Sequence, residues 1–193
     1  MQTLILEECD LANSDIQSLF TLLSAAGSVK ELILSRNDIH NLQPVDITPV
    51  PSLQALTLME CGLTKRDVEP LFQLLSAAGS VKALHLTKNN LHELQPMKIN
   101  PMPSMQTLIL WECSLTESDI GSLFTLLSAA GNVKELYLVD NNLHELQPME
   151  ITLVPTLQTL RIQECDLTNS DIEPLFTLIS ATGSVKELVL IKN

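Results

Sequence analysis

Short stretches in which apolar and variable residues alternate recur along the whole chain. One of them reads Leu-x-Leu at Leu108 and Leu110, and seven further stretches share its form. Alternation of this kind is typical of a strand with one buried face. Each stretch is too short to be stable alone, so the pattern predicts eight strands, each paired with the strand of the next copy.

A helical pattern follows every second strand. In one copy, Ile120, Leu123, Phe124 and Leu127 fall on one face of a helix. A threonine three residues before an aspartate precedes three of the four helical stretches and predicts a capping box. The first copy has Ala12 in place of this threonine, so there Ser14 is predicted to cap the helix. A glycine is predicted to end each helix, at Gly27, Gly79, Gly131 and Gly183.

The chain matches itself at an offset of 52 residues from end to end. Each 52-residue unit contains a long coil of 28 residues, with the helical pattern, and a short coil of 24 residues, in which prolines prevent a long helix. We therefore predict one domain, 1–193. Its coils are 1–28, 29–52, 53–80, 81–104, 105–132, 133–156 and 157–184, followed by the partial coil 185–193.

The coil pattern carries a family resemblance. The long coils read LxxLxLxxCxL and the short coils VxxLxLxxNxL, and the register agrees in all eight coils. This pattern resembles the leucine-rich repeats of ribonuclease inhibitors and of NOD-like receptors. The resemblance implies an α/β leucine-rich repeat solenoid, with a curved parallel sheet on the concave face. Helices of the 28-residue coils would alternate with irregular 24-residue coils on the convex face. The short coils depart from the inhibitor type and imply a flatter arc.

Composition narrows the classes of function. The chain carries 23 acidic and 11 basic residues, for a net charge of −12, which argues against binding to nucleic acid or to anionic membranes and favours a basic protein partner. No apolar run is long enough to span a bilayer, and no secretory signal is visible at the start. We predict a cytoplasmic protein.

Four cysteines and four asparagines alternate at one coil position. Successive cysteines are two coils apart, which is about 10 Å and too far for a disulfide or a shared metal. We therefore predict four free, buried thiols, which suit a reducing compartment. The asparagines should form a ladder whose side-chain amides bond the backbone of neighbouring coils. These residues are Cys9, Cys61, Cys113, Cys165, Asn37, Asn89, Asn141 and Asn193.

We find no pattern that indicates catalysis, a metal or a cofactor. His40, His92 and His144 repeat at one coil position about 10 Å apart and are given a partly exposed structural role. No nucleophile–base pair, phosphate-binding glycine loop or metal-spaced cluster is present. We predict that the protein is not an enzyme.

Variation among the coils concentrates at the strand residues that face away from the core. We call the residue between the two strand leucines the first column and the residue after the second leucine the second column. The single Trp and the single Tyr of the chain fall in these columns, on adjacent strands. Trp, Tyr and Arg are enriched in binding hot spots. The predicted partner-binding residues in the two columns are Met59, His85, Ile109, Trp111, Tyr137, Val139 and Arg161.

The third column, one residue further along, mostly alternates acid and base. Asp140 breaks the alternation and places Glu112, Asp140 and Glu164 side by side. Three neighbouring carboxylates repel one another, a cost that a cationic partner could offset. Glu112 and Asp140 are therefore added to the predicted binding residues. The competing interpretation is that exposed strand positions drift because nothing constrains them.

Two classes of function stay open from the sequence. The first is a module that recognises a protein partner, either the sensing part of an innate-immune-type receptor or a protein inhibitor. The second is a structural or engineered repeat scaffold without a natural ligand. The predicted coils lack polar caps at both ends, which solenoids need. Three explanations stay open: the chain is a fragment of a larger receptor, its caps lie outside these 193 residues, or its edge strands allow end-to-end self-association.

Overall fold

The computed structural model describes residues 2–43, 46–147 and 151–193. Its strands are β1 (Thr3–Glu7), β2 (Glu31–Ser35), β3 (Ala55–Met59), β4 (Ala83–Thr87), β5 (Thr107–Trp111), β6 (Glu135–Val139), β7 (Thr159–Gln163) and β8 (Glu187–Ile191). Its α-helices are α1 (Asn13–Ala26), α2 (Lys65–Ala78), α3 (Ile120–Ala130) and α4 (Ile172–Thr182). Short 3-10 turns at Glu117–Asp119 and Asn169–Asp171 lead into α3 and α4.

The eight strands form one open parallel sheet in chain order. Register is kept from strand to strand, so that Leu108 pairs with Leu136 and Ile109 with Tyr137. The leucines of every interior strand are buried beneath the sheet, while the residues between them are partly exposed on the other side. This other side is called the open face below. The predicted parallel sheet and the α/β solenoid are confirmed.

The helices lie after alternate strands, as predicted, and the first three bury equivalent side chains, whereas Phe176 of α4 is 54% exposed. Phe20, Phe72 and Phe124 occupy equivalent positions and are each 1% exposed. Each of the four helices ends at its predicted glycine, which has a positive φ. Only glycine adopts this left-handed conformation without a steric cost.

The prediction for the first helix cap is wrong. The N-cap of α1 is Ala12 itself, and the helix begins at Asn13, so Ser14 lies inside the helix. Alanine has no side chain that can accept a hydrogen bond, but the other half of the capping box remains. The Asp15 carboxylate accepts the backbone N–H of Ala12 at 2.9 Å.

The asparagine ladder is confirmed and connects adjacent coils. The Asn89 amide oxygen accepts the backbone N–H groups of Cys61 and Leu63, and its nitrogen donates to the carbonyls of Leu58 and Thr87. Asn37 and Asn141 make the equivalent bonds one unit before and one unit after. The ladder satisfies backbone groups that the bend after each strand would otherwise leave buried and unpaired.

Three of the four cysteines are buried, as predicted, and all four are free. The thiols of Cys61, Cys113 and Cys165 each donate to a strand carbonyl of the preceding coil. Burial raises the pKa of Cys61 and Cys165 to about 11 and that of Cys113 to about 12. Cys9 is exposed, contrary to the prediction, because it follows β1, an edge strand of the sheet, over which the described residues place no further coil.

We expect this difference to appear as selective thiol chemistry. Only thiolates react rapidly with disulfide reagents, and burial with a raised pKa suppresses the thiolate form. A chromogenic aromatic disulfide should therefore label one thiol per folded chain quickly and four after denaturation. Replacing Cys9 with serine should abolish the fast reaction. Fast labelling of the folded Cys9→Ser variant would contradict the buried positions of the other three thiols.

Candidate partner-binding face

The predicted partner-binding residues occupy three adjacent rows on or beside the open face. The first column aligns His85, Ile109, Tyr137 and Arg161 across β4 to β7. The second column aligns Thr87, Trp111 and Val139, with Met59 next to Thr87 on β3. Glu112 and Asp140 directly follow β5 and β6. The sheet thus brings all nine residues into one continuous region.

The two large aromatic rings are diagonal neighbours, as the sequence predicts. Trp111 pairs with Val139 and Tyr137 pairs with Ile109 in the β5–β6 register. The indole is 45% exposed, and the Tyr137 ring is partly exposed. An exposed indole beside Ile109 and Val139 forms an apolar surface that can be covered by a partner.

The surroundings of Tyr137 and His85 shift the pKa of each side chain in the direction that favours its neutral form. Burial, together with the Glu135 carboxylate, raises the pKa of Tyr137, whose hydroxyl donates to Glu135 at 3.3 Å. Partial burial lowers the pKa of His85, and the more distant Glu31 opposes this shift. Glu135 is a neighbour that the sequence comparison missed, because it lies before the first strand leucine and therefore outside the three compared columns.

Charge alternation in the third column is confirmed at its beginning. Arg36 contacts Glu8 at 3.0 Å and Glu60 at 3.2 Å, and Lys88 contacts Glu60 at 3.5 Å. Exposed pairs of this kind contribute little to stability individually. They do show that the third-column charges of the early coils are paired with one another.

The later coils form an acidic groove of about 670 Å³. Its lining residues are Glu112, Ser114, Asp140, Asn141, Asn142, Glu164, Asp166 and Lys192. Two of the three neighbouring carboxylates already have donors. Asp140 accepts the Trp111 indole N–H at 2.5 Å, and Glu164 accepts from Gln163 at 3.0 Å and from Lys192 at 3.3 Å.

These donors correct the prediction of three mutually repelling acids. Hydrogen bonds from Gln163 and Lys192 lower the pKa of Glu164, which is the opposite of what unrelieved repulsion would do. The Glu112 carboxylate has no hydrogen-bond or ion-pair partner within the part of the chain that the structure describes. Of the three carboxylates, Glu112 is therefore the one whose negative charge a cationic group of a partner could still neutralise.

Arg161 lies on the open face but is already engaged. Its guanidinium donates to the side-chain oxygen of Gln163 at 3.0 Å. Gln163 in turn donates to Glu164, so that Arg161, Gln163, Glu164 and Lys192 form one hydrogen-bonded chain. Arg161 therefore lies next to Tyr137 on the open face, and its side chain is held in place by these hydrogen bonds.

The described part of the chain contains neither a candidate metal site nor a membrane-spanning helix. Across residues 2–43, 46–147 and 151–193, no three His, Cys, Asp or Glu side chains lie close enough to hold a metal ion. His40, His92 and His144 are exposed, and the His92 ring lies 3.5 Å from the Asp119 carboxylate. None of the helices within the described residues combines the length and apolar character needed to cross a bilayer.

The structure also shows a set of carboxylates whose full role the sequence did not reveal. Asp67, Asp119 and Asp171 cap their helices, as the capping-box pattern predicts, and are almost completely buried. Each also accepts a backbone N–H from the preceding short coil, at Leu42, Leu94 or Leu146. Burial by itself would raise the pKa of Asp171. Hydrogen bonds from Thr168 and Leu146 outweigh this effect and hold the pKa below its usual value.

Comparison with known proteins supports the assignment that the repeats suggest. The whole chain is 29% identical to mouse ribonuclease inhibitor and 28% identical to the pig protein, covering 46% of each. It is 30% identical to human NACHT, LRR and PYD domains-containing protein 13, covering 20% of that protein. The chain thus spans about half the length of the ribonuclease inhibitors that it matches. No model of a known protein family matches it. The chain is a leucine-rich repeat protein of the ribonuclease-inhibitor and NOD-like-receptor type.

Proposed function

We propose that the chain is a non-catalytic recognition module that binds a protein partner through the open, concave face of its sheet. The observation that carries this proposal is the position of Trp111 and Tyr137. They are adjacent on the sheet surface, in the columns where the coils differ most, while the core and helix positions repeat nearly unchanged. Nothing in the packing of the sheet requires an indole at that point.

Two roles fit such a module. The relatives are a ribonuclease inhibitor and proteins with NACHT and PYD domains, so the chain would act either as a protein inhibitor or as the sensing part of an innate-immune-type receptor. Both roles are compatible with the predicted cytoplasmic location. A ribonuclease is the first probe for the inhibitor role, with inhibition of RNA cleavage as the readout.

A basic partner surface suits the acidic groove beside Trp111. The groove contains Glu112, Asp140, Glu164 and Asp166 against the single Lys192, and the whole chain carries a net charge of −12. Complementary charge speeds association and disfavours acidic competitors more than it adds affinity. The affinity should therefore weaken as salt rises, mainly through a slower association rate.

Replacing both Trp111 and Tyr137 with alanine should weaken binding of the partner about 100-fold, because truncation of hot-spot aromatics costs a few kcal/mol. The partner would first be captured from a lysate of the source organism and then purified. Its affinity for the wild-type chain and the double variant would be measured by isothermal titration calorimetry.

A matched control removes two exposed apolar side chains outside the open face. Leu22, on α1, and Leu153, in a short coil, are each more exposed than Trp111. The Leu22→Ala/Leu153→Ala variant should bind like the wild type. Equal affinity of the aromatic variant and the wild type would reject the proposed face.

The alternative function is a structural or engineered scaffold without a natural ligand. In that case the open-face columns vary by drift, and no captured protein would lose affinity when Trp111 and Tyr137 are removed. End-to-end self-association stays a prediction beside either function.

A further inference from the structure

The Trp111 indole is fixed from the next strand. Trp111 is the last residue of β5, and Asp140 directly follows β6. The indole N–H donates to the Asp140 carboxylate at 2.5 Å, although the ring is 45% exposed. A hydrogen bond to an ionised acceptor is stronger than one to a neutral acceptor.

Asp140 is unusual for its coil position. The equivalent residues of the other short coils are Arg36, Lys88 and Lys192, which are all basic and cannot accept an N–H. Trp111 is equally unusual in its own column. The two departures from the repeat occur on adjacent strands, and their side chains meet.

The backbone holds the carboxylate in place. Asp140 has a φ of 49°, in the left-handed region, and its backbone N–H donates to the Gln163 carbonyl at 3.0 Å. This hydrogen bond to the end of β7 fixes the backbone position from which the carboxylate extends. It is suited to holding a neighbouring ring in one orientation.

We propose that Asp140 is a positioning residue, which orients the Trp111 ring for the partner and occupies its N–H. The ring then presents its carbon face, and the partner meets an apolar or cation-binding surface rather than a hydrogen-bond donor. An aromatic ring fixed before binding loses less entropy when the partner docks. The part of this inference that concerns the partner rests on the proposed function, while the positioning itself does not.

The single tryptophan allows a direct test without a partner. One indole N–H resonance is expected in the ¹H–¹⁵N NMR spectrum of the chain. Asp140→Gly removes the carboxylate without straining the left-handed backbone. We expect this variant to move the indole proton upfield and to speed its exchange with water about tenfold, the scale of one lost hydrogen bond to a charged group.

Asp166→Gly is the matched control. Asp166 lines the same groove, also has a left-handed φ, of 56°, and is exposed. It should leave the indole resonance and its exchange unchanged. Asp140→Asn keeps a neutral acceptor in the same shape, so it should lie between wild type and Asp140→Gly. It also supplies the test if the glycine variant fails to fold.

An unchanged indole resonance in folded Asp140→Gly or Asp140→Asn would overturn the positioning role. An equal change in Asp166→Gly would also overturn it, because the effect would then be one of general charge. These results are independent of the proposed function, which fails only if the Trp111→Ala/Tyr137→Ala variant keeps full affinity for the partner.

Discussion

Replacing Asn89 with alanine is expected to lower the free energy of unfolding by about 3–5 kcal/mol, since buried groups that lose their partners each cost about 1–3 kcal/mol. The side chain is 3% exposed and makes four hydrogen bonds to the backbone of two coils. Alanine leaves two N–H groups and two carbonyls without these partners. Urea unfolding followed by circular dichroism measures the loss.

Asn90→Ala is the control for this prediction. Asn90 is the next residue, is exposed, and its side chain accepts one long bond from the His92 N–H, at 3.4 Å. Its removal should cost well under about 1 kcal/mol, as is usual for exposed positions. Similar unfolding midpoints for the two variants would show that the ladder is not a main source of stability.

Replacing Asp119 with alanine is expected to cost about 3 kcal/mol, because it breaks three bonds to a fully buried carboxylate. The carboxylate accepts the Leu94 N–H at 2.7 Å, the Thr116 N–H at 2.8 Å and the Thr116 hydroxyl at 3.1 Å. It therefore joins the start of the helical segment to the preceding short coil. In a repeat protein the loss of such a contact weakens the junction between neighbours.

Glu117→Ala is the control for the Asp119→Ala prediction. Glu117 lies in the same 3-10 turn but makes no bridge to the short coil in the part of the chain that the structure describes. Glu117→Ala should cost only a few tenths of a kcal/mol, from the lost favourable charge at a helix start. Hydrogen exchange should locate the effect of Asp119→Ala at Leu94. An unchanged exchange rate of the Leu94 amide would contradict the bridging role.

The parts of the fold that follow from periodicity were predictable from the sequence. The spacing of the strand leucines fixes which residues pair across the sheet, and the capping threonines and terminal glycines bound the later helices. The first helix start was predicted wrongly, because Ala12 lacks the side chain on which the capping pattern depends. A cap formed by Asp15 alone lacks the threonine of the Thr-x-x-Asp pattern, so the sequence indicates the helix start less clearly.

Contacts between side chains of different coils were less predictable. The third column indicates charges but not their partners, so the sequence suggested repulsion where Trp111 and Lys192 supply donors. The sequence shows Asp119 as a helix cap, and its second bond, to Leu94, depends on the distance between coils. Exposure also depends on neighbouring coils, which is why Cys9 differs from the three other cysteines although all four share the local pattern Glu-Cys-x-Leu.

The central claim is that the open face of the sheet, rather than the helices, contacts the partner. Hydroxyl-radical footprinting of the chain, free and in complex with the purified partner, tests it most directly. We expect slower oxidation of Met59, Trp111 and Tyr137 in the complex and an unchanged rate at Leu22 on α1. Protection of Leu22, with Trp111 and Tyr137 oxidised as fast as in the free chain, would contradict it.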